Sequence, residues 1–332
     1  MKAIKFFAIT AMAAAMFTSC SNEDELSQSN YPSDNIIRIT AGVNNAKTRA
    51  DESAGTPLTN PLSLTVVNKN TETTLAAKYT YVNKVFKKND NVWTCSEDQP
   101  LLWQNSTQAV DIVAFAPAPN DKFDGVYTNG SIQPITYSVA KDQTTADDKN
   151  DLLYYYSKGF VPKDKLEDKK LNIEMNHAFC MIDIVVTLGT EFNKPDILEA
   201  SPITEVTLGG TKIDANVDVT GTTDIVTATS AAATDITTTK GSFTKATNAE
   251  VNAISNFSCI TVPQNVAANT FKVSLKTAGK RYEWTSADPV VLQSGYRYKL
   301  ELSMGNDVVL LKGGSITATK WTEIAGGSLE TD

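Results

Sequence analysis

Apolar and polar residues alternate with a period of two through much of this chain. Ile37, Ile39, Ala41 and Val43 alternate with Arg38, Thr40, Gly42 and Asn44. Successive side chains of a strand point to opposite faces, so this stretch predicts a half-buried strand over residues 36–44. Leu62-Ser63-Leu64-Thr65-Val66 repeats the pattern, and Val110-Asp111-Ile112-Val113-Ala114-Phe115 is a short apolar run stopped by Pro117 and Pro119. Three later stretches each place their large residues on one strand face: Ala178, Cys180, Ile182, Ile184 and Val186; Phe271, Val273 and Leu275; and Tyr296, Tyr298, Leu300 and Leu302. No window supports a long amphipathic helix. Strands separated by Gly, Asn, Asp and Pro turns predict an all-β protein built from sandwiches.

The length of 332 residues suits about two domains. The charged run over residues 163–170 reads as a short helix or linker, and the domain boundary is placed there. This divides the chain into an N-terminal sandwich over 34–170 and a C-terminal sandwich over 171–332. Residues 211–253 are rich in Thr and Ala, which predicts edge strands and long loops or, alternatively, a disordered segment.

The first twenty residues change the picture. Lys2 and Lys5 precede an apolar stretch over residues 6–17, too short to span a bilayer core of about 30 Å. Thr18 and Ser19 lead into Cys20, so residues 1–19 read as a secretory signal that ends at a cysteine. Cys20 resembles the lipobox cysteine of bacterial lipoproteins, a lipidation site whose acyl chains would hold the precursor on a membrane. An ordinary signal peptide with an unmodified cysteine is the alternative, and Phe17 departs from the more usual Leu. Residues 20–33 form an acidic tether that begins Ser21-Asn22-Glu23-Asp24-Glu25, similar to the surface-export tag of anaerobe lipoproteins.

Candidate chemistry is sparse. The net charge of −8 disfavours binding of nucleic acid. His177 is the only histidine, so a triad would have to use it. Met175-Asn176-His177-Ala178-Phe179 places it at the start of a strand, in a structural role. No zincin, Cys-x-x-Cys, dinucleotide or P-loop motif is present, and no cofactor or metal is expected. The remaining Cys95, Cys180 and Cys259 fit no metal or redox spacing and read as small buried hydrophobes. Asp147-Asp148-Lys149-Asn150-Asp151 reads as a solvated turn, with a calcium loop as the alternative. Trp93, Trp103, Trp284, Trp321 and Tyr154-Tyr155-Tyr156 read as core or rim packing. Lys47-Thr48-Arg49-Ala50-Asp51 places an arginine in a small-residue, polar segment just past the first strand, where proteases gain access.

These features together resemble the fimbrillin family, the lipoprotein pilins of type V pili. The resemblance rests on the order of motifs. The lipobox, the first strand and Thr48-Arg49-Ala50 come first. Trp93, Trp103 and Val110-Asp111-Ile112-Val113-Ala114-Phe115-Ala116-Pro117 follow. Asp151-Leu152-Leu153-Tyr154, Asn176-His177-Ala178, Gly295-Tyr296-Arg297-Tyr298, Ile316 and Trp321 complete it. It implies two tandem transthyretin-like β-sandwich domains and no enzymatic activity. It also implies that an arginine-specific protease cuts between Arg49 and Ala50. The cut would remove the lipidated peptide together with the strand carrying Ile37, Ile39, Ala41 and Val43, and the vacated groove would accept a strand from an identical or related pilin. The candidate donor lies over residues 308–324, with Val309, Leu311, Ile316, Trp321 and Ile324 as its large residues. The expected role is a shaft or tip pilin of a surface fimbrium that supports adhesion. It would start as a lipidated precursor in the outer membrane. The alternative is a surface-exposed glycan-binding lipoprotein that keeps its lipid and exposes coplanar aromatics. A carboxylate-pair hydrolase is the enzymatic alternative.

Overall fold

The computed structural model describes residues 30–44, 56–119, 121–145, 151–221, 224–229, 232–312 and 316–321. The first half runs β1 (Ile39–Val43), β2 (Thr56–Pro57), β3 (Leu62–Asn68), a short helix α1 (Thr73–Lys78), β4 (Tyr81–Asn89), β5 (Val92–Cys95), β6 (Val110–Ala116), β7 (Tyr127–Thr128), β8 (Ser131–Ile132), β9 (Ile135–Ser138), β10 (Leu153–Phe160), helix α2 (Pro162–Lys165) and β11 (Leu171–His177). The second half runs β12 (Cys180–Leu188), β13 (Ile203–Gly209), β14 (Asp214–Val217), β15 (Val226–Ala228), β16 (Ile236–Thr237), β17 (Thr239–Thr244), β18 (Ile254–Thr261), β19 (Gln264–Val266), β20 (Lys272–Thr277), β21 (Arg281–Thr285), β22 (Val290–Leu292), β23 (Tyr296–Met304), β24 (Val309–Leu311) and β25 (Thr317–Lys320). The protein is all-β, in line with the alternation along its sequence.

The largest sheet has the order β2-β1-β11-β10-β6-β3-β4-β5. Its joint is narrow: β11 meets β10 only at Leu153↔His177 and Tyr154↔Asn176. β1, near one end of the order, lies beside β5 at the other end. The sheet is therefore rolled around one apolar core, in which Ile37, Ile39, Leu171 and Ile173 meet Leu62, Leu64, Phe86 and Ile112. The second core is covered by the sheet β17-β18-β12-β23-β24, with β25 also on β23, and by the sheet β16-β13-β20-β21.

β6 is the wall between the two cores. Every residue of it is buried. Ile112, Ala114 and Ala116 enter the first core, while Val113 and Phe115 enter the second. This explains an apolar run without alternation: a strand covered on both faces has no polar side to present. Its single charge, Asp111, is matched by Lys69 at 3.2 Å and by the N–H of Gly159 at 2.8 Å.

The sequence division at residue 170 does not coincide with a division between sheets. β11 follows that position yet lies in the first sheet, in parallel register with β1 from Ile39↔Leu171 to Val43↔Met175. β9, from the first half, pairs with β14 of the second. The charged run over 163–170 contains α2 in its first part. The Thr-rich region folds in its described parts into the short strands β14 to β17. Small β-branched residues suit such strands because they contribute backbone preference with little side-chain bulk.

Candidate functional site

The first strand sits one place from the end of its sheet. Along one side β1 pairs with β11 over five positions, and along the other it pairs with β2 only at Gly42↔Pro57 and Val43↔Thr56. The segment before it is docked as well. The N–H of Ile37 donates to Leu101 O and that of Trp103 donates to Asn35 O, both at 2.8 Å. Beyond β1, Asn44 donates from its backbone to Met175 O at 2.6 Å and from its side chain to Asn176 Oδ1 at 3.1 Å. Residues 35–44 therefore lie in one groove, whose walls are the 101–103 segment and β11.

Side chains fill that groove on one face. Ile37, Ile39 and Val43 are each no more than 5% exposed, while Ala41 is half-buried and Thr40 is exposed. Removing three large aliphatic side chains from a core costs about 5–9 kcal/mol, at about 1.5–3 kcal/mol each. The groove they leave would be lined by Leu171, Ile173 and Met175, all fully buried in the presence of the strand. Arg38 faces outward and forms a forked ion pair with Asp34, at 2.9 and 2.6 Å. That hydrogen bonding to Arg38, with the N–H of Ile36, holds the Asp34 carboxyl well below the usual carboxylate range.

The C-terminal segment is built the opposite way. β24 and β25 lie end to end on β23, from Leu302↔Leu311 to Met304↔Val309 and from Tyr296↔Lys320 to Lys299↔Thr317. All four residues of β25 are exposed. Ile316 and Leu311 are half-buried and Val309 is buried. Trp321 is the exception at the far end, 8% exposed, with its ring stacked on the His177 imidazole at 3.8 Å and 5°. Cys20, Arg49, Ala50 and Ile324 lie outside the described residues, as do Asp147, Asp148, Lys149 and Asn150.

His177 departs from its sequence reading in position. It ends β11 rather than beginning a strand. Its Nδ1 lies within hydrogen-bonding distance of Asp151 Oδ2, at 2.6 Å. Asp151 thus contributes to a buried contact rather than to a solvated turn. The local sequence held no signal for the His177–Trp321 stack, since strand periodicity carries no information about partners so far apart in the chain. Cys180 and Cys259 are buried, and burial pushes both thiols up, away from the reactive thiolate. Cys95 is only half-buried. Trp93 and Trp103 are buried, and Trp284 is half-buried. Among the described residues no group of three or more His, Cys, Asp or Glu could hold a metal ion. Nor is any helix among them long and apolar enough to cross a membrane.

Comparison with known proteins places this architecture. No curated protein matches the sequence. A proposed cell adhesion protein from Bacteroides ovatus is similar in structure, with a TM-score of 0.62 and 15% identity over 87% of this chain and 98% of that one. A second, from Bacteroides uniformis, has a TM-score of 0.55 and 16% identity over 88% of this chain and 100% of its own. A fimbrial protein from Bacteroides vulgatus has a TM-score of 0.50 and 14% identity over 86% and 99%. At such identities the likeness concerns the fold. The family model described as fimbrillin-like matches residues 48–321, most of the chain. The chain therefore belongs to the fimbrillin-like family.

Proposed function

We propose that this chain is a pilin that assembles by strand exchange after proteolysis. The observation that carries the reading is the placement of β1, one place from a sheet end, with a full-length partner on one side and an apolar groove beneath it. In the precursor, Cys20 would carry lipid and hold the protein on the outer membrane. A cut between Arg49 and Ala50 by an arginine-specific protease would release lipid and strand together. Loss of β1 would bare Leu171, Ile173 and Met175 together with the backbone groups of β11, a ready template for an incoming strand. While β1 is present, it occupies that template and blocks premature polymerisation.

The donor is assigned to the C-terminal segment that contains β24 and β25. β25, with four exposed residues, loses little apolar burial on leaving, and the cost of release falls on the buried Val309 and Trp321. The two apolar cores are read as the tandem transthyretin-like sandwiches of the family. The product is a surface fimbrium that supports adhesion, with identical or related pilins as partners. The glycan-binding alternative calls for exposed coplanar aromatics, whereas Trp93, Trp103 and Trp321 are buried. Replacing Arg49 by Ala tests the reading. The variant should remain an uncut, lipidated monomer, and fibres assembled from it would contradict the proposal.

A further inference from the structure

We propose that His177 is a positioning residue that clasps the C-terminal strand and releases it when β1 leaves. This rests on the reading of β25 as the donated strand. The four residues of β25 bury no side chain, so β25 itself is held by its backbone pairing with β23 and by long hydroxyl contacts from Thr317 to Lys299 O at 3.5 Å and from Thr319 to Arg297 O at 3.4 Å. Side-chain anchorage falls to the flanks, where Ile316 is half-buried and Trp321 is buried. The Trp321 ring lies flat on His177, and the Trp321 backbone N–H donates to Gly295 O at 2.8 Å.

The receiving surface is one small assembly. Gly295, at φ +69, donates its N–H to Phe179 O at 2.9 Å, and Ser294 Oγ donates to Ala178 O at 2.5 Å. The turn that starts β23 is thus fastened to the residues just after His177. The His177 ring is oriented from behind by Asp151 at 2.6 Å, and its backbone by the pairing with Leu153. A stacked ring pair is sensitive to tilt, so the orientation of His177 sets how well Trp321 is held.

That orientation depends on β1. From Leu171 to Met175, β11 has β1 as its ladder partner, and β10 joins β11 only at Asn176 and His177. Asn44 adds two hydrogen bonds at Met175 and Asn176, immediately before the histidine. When residues 35–44 depart, those bonds go and five positions of β11 lose their pairing. The end of β11 shifts, the stack opens, and β25 becomes free to leave. The same event that empties the acceptor groove thus frees the donor strand, and an uncut subunit keeps its own donor docked. The equilibrium is biased because the stack is better formed in one state than in the other.

Hydrogen exchange read by mass spectrometry over residues 316–321 tests this in the full-length chain. His177→Ala and Trp321→Ala should each speed exchange there by at least about ten-fold, with β6 and β12 unchanged. Trp321→Phe, which keeps a flat ring, should restore most of the protection. Trp321 lies at the margin of the fold, so its variants report on the clasp even if His177→Ala folds poorly. Cleavage after Arg49 should accelerate exchange in the wild-type chain, yet add little in His177→Ala. Unchanged exchange in Trp321→Ala, or equal acceleration by cleavage in both backgrounds, would overturn the clasp. Formation of a polymer ladder by the cut wild-type chain is scored separately. Ladders with no effect of either variant on exchange would remove the clasp and leave the pilin reading. The expected exchange pattern without ladders would keep the clasp and remove strand donation.

Discussion

The two ends of the described chain, β1 and β25, both lie at sheet margins, and they are held by opposite means. β1 pushes Ile37, Ile39 and Val43 into a core and lies in a groove along residues 35–44. β25 exposes every side chain and relies on its backbone ladder and two long threonine hydroxyl contacts to β23, with Trp321 beside it. The difference teaches that marginal position alone does not make a strand detachable. Burial decides the cost, so in the proposed scheme β1 would leave only after a covalent cut and with a replacement, whereas β25 would need only a small change at its anchor.

Deleting the residues after Lys312 should abolish polymerisation while leaving a folded, soluble monomer. Loss of all soluble protein would show that β25 belongs to the core and would erase the contrast. Next in size, Ile39→Ala should lower the stability of the uncut precursor by about 2–5 kcal/mol in denaturant unfolding. The same substitution should leave assembled fibres unaffected, because in the proposed scheme residue 39 would by then have departed. A fibre destabilised by Ile39→Ala would mean that β1 stays in place. Thr319→Ala, in the middle of β25, should change precursor stability by no more than about 0.5 kcal/mol. A larger loss would show that the long Thr319 hydroxyl contact to Arg297 O anchors the strand more than its exposure indicates.

The smallest effect concerns pH. The Asp34 carboxyl is held low by Arg38, so its contribution is complete above about pH 4, the ordinary carboxylate value. It is lost as the pH falls from there toward the depressed folded value. Exchange over residues 34–38 should therefore rise on acidification beyond the intrinsic rate change. Asp34→Asn should show already at pH 7 the loss of protection that the wild type shows only in acid, and its own acid response should be flat; both effects are small because the pair is exposed and screened. An identical acid response in the variant would assign the effect to another group.

Much of the first strand was legible in the sequence. Period-two spacing marks Ile37, Ile39 and Val43 as one face, and the structure buries all three. The apolar run of β6 was visible too, but not its place between two cores, because a run without alternation does not say what covers either face. The strand Leu171–His177 was not read from the sequence, which placed His177 at the start of a strand rather than at the end of one. A boundary drawn at the charged run therefore separated β11 from β1, with which it pairs in parallel. Parallel partners join through long connections, and sequence spacing alone does not reveal them. The His177–Trp321 contact was hidden for a related reason. Both residues belong to recognisable motifs, yet their meeting depends on how β23 and β11 are brought together by the turn at Gly295.

The most direct test of a detachable first strand is to treat purified precursor with an arginine-specific protease and then separate the products by size under native conditions. Mass spectrometry should find the peptide ending at Arg49 free of the remainder, and the remainder, beginning at Ala50, in oligomers. A cut chain that stays monomeric with residues 35–44 still bound in their groove would contradict the account.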